Sequence, residues 1–144
     1  MTFGGEDREN LSGKTLDLLL GGGFFPPSRI TVVEGALFGT RTWPGGVCVR
    51  RGMGSLRGEL GKHDLVFTHF GVTALESLAS GVPVILVHPS GYHRVLGRAA
   101  GIPDIGTGKP SASALRRLLR SPHLLQVSVE EFNRQIAGDR GKTL

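Results

Sequence analysis

The stretch Asp64-Leu65-Val66-Phe67-Thr68-His69-Phe70-Gly71-Val72-Thr73-Ala74-Leu75-Glu76-Ser77-Leu78-Ala79-Ser80-Gly81-Val82-Pro83-Val84-Ile85-Leu86-Val87 decides the fold. An apolar run, Leu65-Val66-Phe67, ends at a glycine turn. Leu75, Leu78 and Ala79 then repeat at helical spacing, and Gly81 leads into a second apolar run, Val84-Ile85-Leu86-Val87. Neither run alternates with polar residues, so both read as strands covered on two faces. A strand, a helix and another strand of this kind form the crossover unit of a parallel sheet.

The same rhythm extends outward. Strands are expected at 1–4, 29–33, 46–50, 64–69 and 82–87. A helix from about Glu9 carries Leu16, Leu19 and Leu20 on one face, and another carries Leu115, Leu118 and Leu119 behind Ser111 or Ser113 as N-cap. The prediction is an α/β, Rossmann-like parallel sheet flanked by helices. It occupies a single domain at 1–137, followed by a polar, frayed tail at 138–144.

Composition removes several classes. The chain has 144 residues and 23 glycines, but these cluster irregularly, which excludes a collagen-like repeat. With 39% hydrophobic and 20% charged residues it reads as globular, and no apolar run is long enough to span a bilayer. The expected location is the cytoplasm. The single cysteine, Cys48, lies between Val47 and Val49, and the expectation is a buried, inert thiol. The net charge is +5, and 13 of the 17 basic residues are arginine. Arginine suits phosphate, yet aromatic residues are few and no nucleic-acid-binding signature is present.

In such a fold, ligands bind beyond the carboxyl ends of the strands. Three loops fall there. Thr2-Phe3-Gly4-Gly5-Glu6-Asp7 pairs close-approach glycines with a helix start. His69-Phe70-Gly71-Val72-Thr73 offers a glycine, a hydroxyl and helix amides that suit an anion such as a diphosphate. For Glu76, three residues beyond Thr73, two readings stand: a capping-box partner of Thr73, or a carboxylate accepting ribose hydroxyls. The third loop, His88-Pro89-Ser90-Gly91-Tyr92-His93, lacks the ligand spacing of a zinc site, and no metal is expected.

The 64–106 stretch, with its Asp-apolar-apolar-apolar start, Gly-x-Thr turn, helix with Glu and Gly-Val-Pro before a strand, resembles the nucleotide-sugar-binding signature in the C-terminal half of GT-B glycosyltransferases. It looks most like the branch of peptidoglycan N-acetylglucosaminyltransferases and of the UDP-sugar hydrolases of pseudaminic-acid and spore-coat synthesis. The opening Thr2-Phe3-Gly4-Gly5-Glu6-Asp7 is similar to the diphosphate loop of the hydrolases. The resemblance implies a UDP-sugar ligand and no further cofactor. Gly4, Gly5, Gly71, Val72 and Thr73 would hold the diphosphate and Glu76 the ribose. Arg51, Gly52 and Met53 would lie by the uracil, within a loosely matching segment at 52–56. Relatives carry an amide pair after the second strand to hold the sugar. Here Tyr92 and His93 stand at that place.

Relatives also have an N-terminal Rossmann-like domain that binds the acceptor and carries the catalytic base. The expected partner is therefore that domain, in cis or as a separate subunit through which the chain is peripheral to a membrane. On this reading the chain is the donor half of a glycosyltransferase or UDP-sugar hydrolase of cell-surface glycan synthesis, with Arg94 or Arg51 neutralising the departing diphosphate and no catalytic residue assigned. The alternatives are a non-catalytic module with a vestigial nucleotide site and, further off, a basic nucleic-acid binder.

Overall fold

The computed structural model describes residues 1–5, 7–39, 41–52 and 56–142, with side chains to 139. The elements, in order, are α1 (Leu11–Gly21), a 3-10 turn (Pro27–Arg29), β1 (Thr31–Val33), β2 (Cys48–Arg50), α2 (Arg57–Leu60), β3 (Val66–Thr68), α3 (Val72–Ala79), β4 (Val84–His88), α4 (Gly91–Ala99), β5 (Asp104–Thr107), α5 (Ala112–Leu119) and α6 (Pro122–Lys142). The protein is an α/β fold with parallel sheets flanked by helices. One sheet is the pair β1-β2 and the other is β3-β4-β5, and every strand pairing in them is parallel.

The N-terminal segment joins the two. It is not a full strand, as expected at 1–4, but makes a single parallel bridge from Thr2 to Val33. Val33 N–H donates to the Met1 carbonyl (3.0 Å), and Thr2 N–H donates to the Phe67 carbonyl (3.0 Å). Across the molecule the extended segments thus run β2, β1, N-terminal segment, β3, β4, β5. This is the doubly wound order, which reverses direction between the N-terminal segment and β3.

Strand β4 explains why the sheet is packed on both faces. All five of its residues are buried. Ile85 and Val87 pack with Phe3, Val32, Phe67, Leu16 of α1 and Leu115 of α5. On the opposite face, Val84 and Leu86 join Val66, Leu60 of α2, and Ala74 and Leu78 of α3. Since successive side chains of a strand point to opposite sides, an uninterrupted apolar run is what a sheet clad on both faces requires. Helix α6 contributes Leu125 to the first cluster and Val129 to the second. Among the described residues, no helix is long and apolar enough to cross a membrane.

Four features depart from expectation. Cys48 is exposed, because β2 is the outer strand of its pair and its residues are exposed or half-buried. Strand β5 was not expected: it is short, half-polar and contains Gly106 at φ 138. Helix α4 begins at Gly91, inside the segment read as a loop, behind Ser90 as N-cap. Helix α6 opens with Pro122 and continues in backbone through Lys142, so residues 138–142 of the expected tail are helical.

Candidate functional site

The reversal of strand order opens a crevice between the loop after the N-terminal segment and the loop after β3. His69 stands between them. Its Nε2 lies 3.0 Å from where a Cβ on Gly4 would be, and its Cε1 lies 3.6 Å from the same position at Gly71. Gly4 is also in the left-handed region (φ 80), so glycine is required there twice over. His93, in the first turn of α4, approaches His69 edge-on with ring centroids 5.6 Å apart, and Tyr92 lies 5.9 Å from His93. The fold therefore gathers Gly4, Gly71 and His93 around the His69 ring, with Tyr92 beside His93. His69 was not singled out from the sequence. The available signal was a histidine ending an apolar strand directly before a glycine turn.

The two helix starts differ. At α3 the N-cap is Gly71, not Thr73, and it has no side chain to offer. The capping-box reading of Thr73 and Glu76 is therefore overturned, since Thr73 is already the second residue of the helix. The first amides of α3 keep the partial positive charge of an uncapped N-terminus. Glu76 is partly exposed one turn along and 4.0 Å from Arg57 Nε.

At α1 the start is filled by the protein itself. The Asp7 carboxylate accepts from Leu11 N–H (2.7 Å) and Ser12 N–H (2.9 Å). Arg41 Nη1 holds the same carboxylate at 3.1 Å. Asp7 and Asn10 both adopt left-handed backbone, at φ 49 and 51, a conformation that Asp and Asn take up more readily than other non-glycine residues. The Gly4-Gly5 loop thus leads to a helix whose first amides already have an anion. Its glycines serve packing as well: Gly35 lies so close that a Cβ there would stand 2.2 Å from the Gly4 carbonyl oxygen, and Leu37 N–H donates to the Gly5 carbonyl (2.9 Å).

Arg51 sits at the far end of the β1-β2 pair and is committed to Glu34, which also accepts from Trp43 Nε1. Arg51, followed by burial and Trp43, sets the Glu34 carboxyl, and the net effect holds it below the usual carboxylate range. Arg51 Nε and Nη2 are engaged there, while the side chain as a whole stays largely exposed. By strand spacing, the end of β2 is about 14 Å from the end of β3, so Arg51 and Gly52 are not gathered with His69 and Gly71. Met53, Gly54 and Ser55 of the expected uracil segment, and Glu6 of the first loop, lie outside the described residues. Arg94 is exposed on α4. Among the described residues, no group of three or more His, Cys, Asp or Glu is placed to hold a metal. A hollow of about 340 Å³ lies at the opposite end of the sheet, among Ile30, Asp64 and Leu65 where the strands begin, and none of the crevice residues lines it.

Behind the crevice, His88 is fully buried against α4. Asp104 Oδ2 is 3.4 Å from Nε2, but neither ring nitrogen makes a hydrogen bond. Burial outweighs the nearby carboxylate and lowers the His88 pKa. The sign follows from proton counting. Below the ordinary histidine value the unfolded chain binds a proton that folded His88 refuses, so stability falls as pH drops through that value and is unaffected well above it. The Met1 amine, buried and pushed down to about 5, adds a slope of the same sign. Denaturant midpoints measured from about pH 8 down to pH 5 should therefore decline steadily, and less steeply in His88→Leu. Equal slopes would rule His88 out.

The strand order defines a doubly wound α/β domain with His69 and His93 at its switch point. No protein-family model matches the chain, and no curated protein matches it either.

Proposed function

We propose that the chain binds a UDP-sugar in the switch-point crevice and is the donor-binding half of a GT-B-type glycosyltransferase or UDP-sugar hydrolase. The observation that supports this most is the uncapped start of α3, where Gly71, Val72 and Thr73 leave helix amides for the diphosphate and Glu76 is free of a capping role. The protein's part is positioning and charge stabilisation as the diphosphate departs. Three of the exposed apolar side chains, Leu37 (67% exposed), Val72 (70%) and Tyr92 (70%), belong to the loops and first turns around this edge. They support a second Rossmann-like domain or partner subunit closing over the crevice, in the cytoplasm and at a membrane surface through that partner.

Calorimetry with UDP and UDP-N-acetylglucosamine tests the reading. Glu76→Ala should weaken UDP binding by about 10- to 100-fold, the loss expected for a charged hydrogen bond to a ligand hydroxyl. If the intact chain binds neither compound at millimolar concentration, the donor-site proposal is wrong.

One observation favours the non-catalytic alternative. Asp7 already fills the start of α1, so half of the expected diphosphate cradle is occupied by the chain's own carboxylate. A module of this kind binds UDP but releases no UDP from a UDP-sugar, whatever partner is added. The nucleic-acid reading loses ground, because Arg29, Arg41, Arg50, Arg51, Arg57, Arg98 and Arg134 each face a carboxylate.

A further inference from the structure

The crevice joins two histidines from different elements, and hydrogen bonding fixes what the first of them presents. His69 Nδ1 lies 3.0 Å from the Phe70 carbonyl oxygen. A carbonyl only accepts, so Nδ1 carries the proton of the neutral ring. Nε2, the nitrogen turned to Gly4, is then a bare lone pair. A lone pair repels an anion, and only protonation makes it a donor.

The groups packed on His69 do not supply that charge beforehand. Phe3 of the N-terminal segment lies 6.4 Å away, ring to ring, and is apolar. From α4 comes His93, its Nδ1 held by Ser90 Oγ at 2.8 Å. Burial, then the neighbouring His69 and His88, lowers the His93 pKa. His88, at the end of β4, is turned toward Asp104 and is likewise held neutral by burial. Arg94 lies on the exposed side of α4. Among the described residues, no carboxylate is hydrogen-bonded to either crevice ring.

We propose that His69 takes up a proton as a phosphate-bearing ligand enters the crevice, adding a full positive charge to the partial charge of the α3 amides. The proton comes from solvent, and no bond to the ligand forms or breaks. The inference rests on the crevice being a diphosphate site. A doubly charged diphosphate diester beside a neutral imidazole favours the protonated ring, and by linkage the same coupling tightens binding as pH falls.

The test is calorimetry of the full chain with UDP-N-acetylglucosamine, whose diphosphate diester keeps a constant charge near neutral pH, in two buffers of different ionisation enthalpy. The expected result is net proton uptake on binding, with affinity rising as pH falls by at most about tenfold per pH unit, the limit for one linked proton. His69→Gln, which keeps a donor at the position, should abolish uptake and flatten the pH dependence. Binding without uptake in the wild type, or uptake that survives in His69→Gln, overturns the coupling and leaves the diphosphate reading intact. No binding by the wild type overturns both. If His69→Gln does not fold, the wild-type His69 ring proton signal provides the test: UDP-N-acetylglucosamine must shift its titration midpoint upward, and an unchanged midpoint overturns the proposal.

Discussion

Gly35→Ala is expected to lower the melting temperature by roughly 10 °C, equivalent to a loss of about 3 kcal/mol. A Cβ at this position would lie 2.2 Å from the Gly4 carbonyl oxygen, 2.5 Å from Gly5 Cα and 2.6 Å from the Gly5 carbonyl oxygen. All three are backbone atoms and cannot rotate away as a side-chain tip would. The loop after β1 must then separate from the loop after the N-terminal segment, which breaks the Leu37 to Gly5 hydrogen bond and shifts Gly4 against His69. Thermal unfolding followed by circular dichroism measures the effect. Gly58→Ala is the control, since nothing lies within 4 Å of a Cβ there. If the two variants melt together, the close packing of the two loops is wrong. On the proposed donor-site reading, a folded Gly35→Ala protein should also bind UDP more weakly, because Gly4 and Gly35 share one contact.

Ile85→Ala is expected to cost about 4 kcal/mol, the upper part of the range for truncating a buried branched side chain. Ile85 is fully buried in the central strand of its sheet, with Val66 and Asp104 strands on either side. Around it are Phe3, Phe67, Leu16 and Leu115, which come from four separate elements, so no one of them can move in to fill the gap without leaving its own place. A domain of this size holds about 5–15 kcal/mol in total, so one such truncation removes a large share of its stability. Urea denaturation should show the midpoint falling with the slope unchanged. A loss below about 1 kcal/mol would mean that the first core cluster is loosely packed. Val72→Ala, at a residue 70% exposed, should stay within about 0.5 kcal/mol of the wild type.

The central strands were legible because an unbroken apolar run of four or five residues has few other homes. Val84-Ile85-Leu86-Val87 needs cover on both faces, and a parallel sheet supplies it. The start of α5 was legible for a similar local reason, as Ser111 accepts from Ala114 N–H where capping chemistry predicts. Helix α4 was not, because glycine at its first position and a polar, exposed face resemble a loop until β4 is present to pack against Gly97. Cys48 failed for the opposite reason. Its apolar neighbours suggested an interior position, but burial depends on what covers a strand, and among the described residues β2 pairs with β1 alone and is exposed or half-buried along its length.

The candidate site divides in the same way. Glycine and helix-start residues at 4–5 and 71–73 could be read as one kind of loop, since local sequence records turn chemistry. What the local sequence could not record was that Asp7, with Arg41 brought from 34 residues away, fills one helix start while the other stays open. Nor could it pair Arg51 with Glu34 or bring His93 to His69.

By itself, then, the sequence determined the α/β class, the two-sided burial of the central strands and the glycine turns that lead into helix starts, because hydrophobic periodicity and turn chemistry act within a few residues. The tertiary structure alone decided which helix start is vacant, which arginines are spent on carboxylates and which histidine faces the crevice, because each depends on charges and close contacts between segments that the strand order brings together.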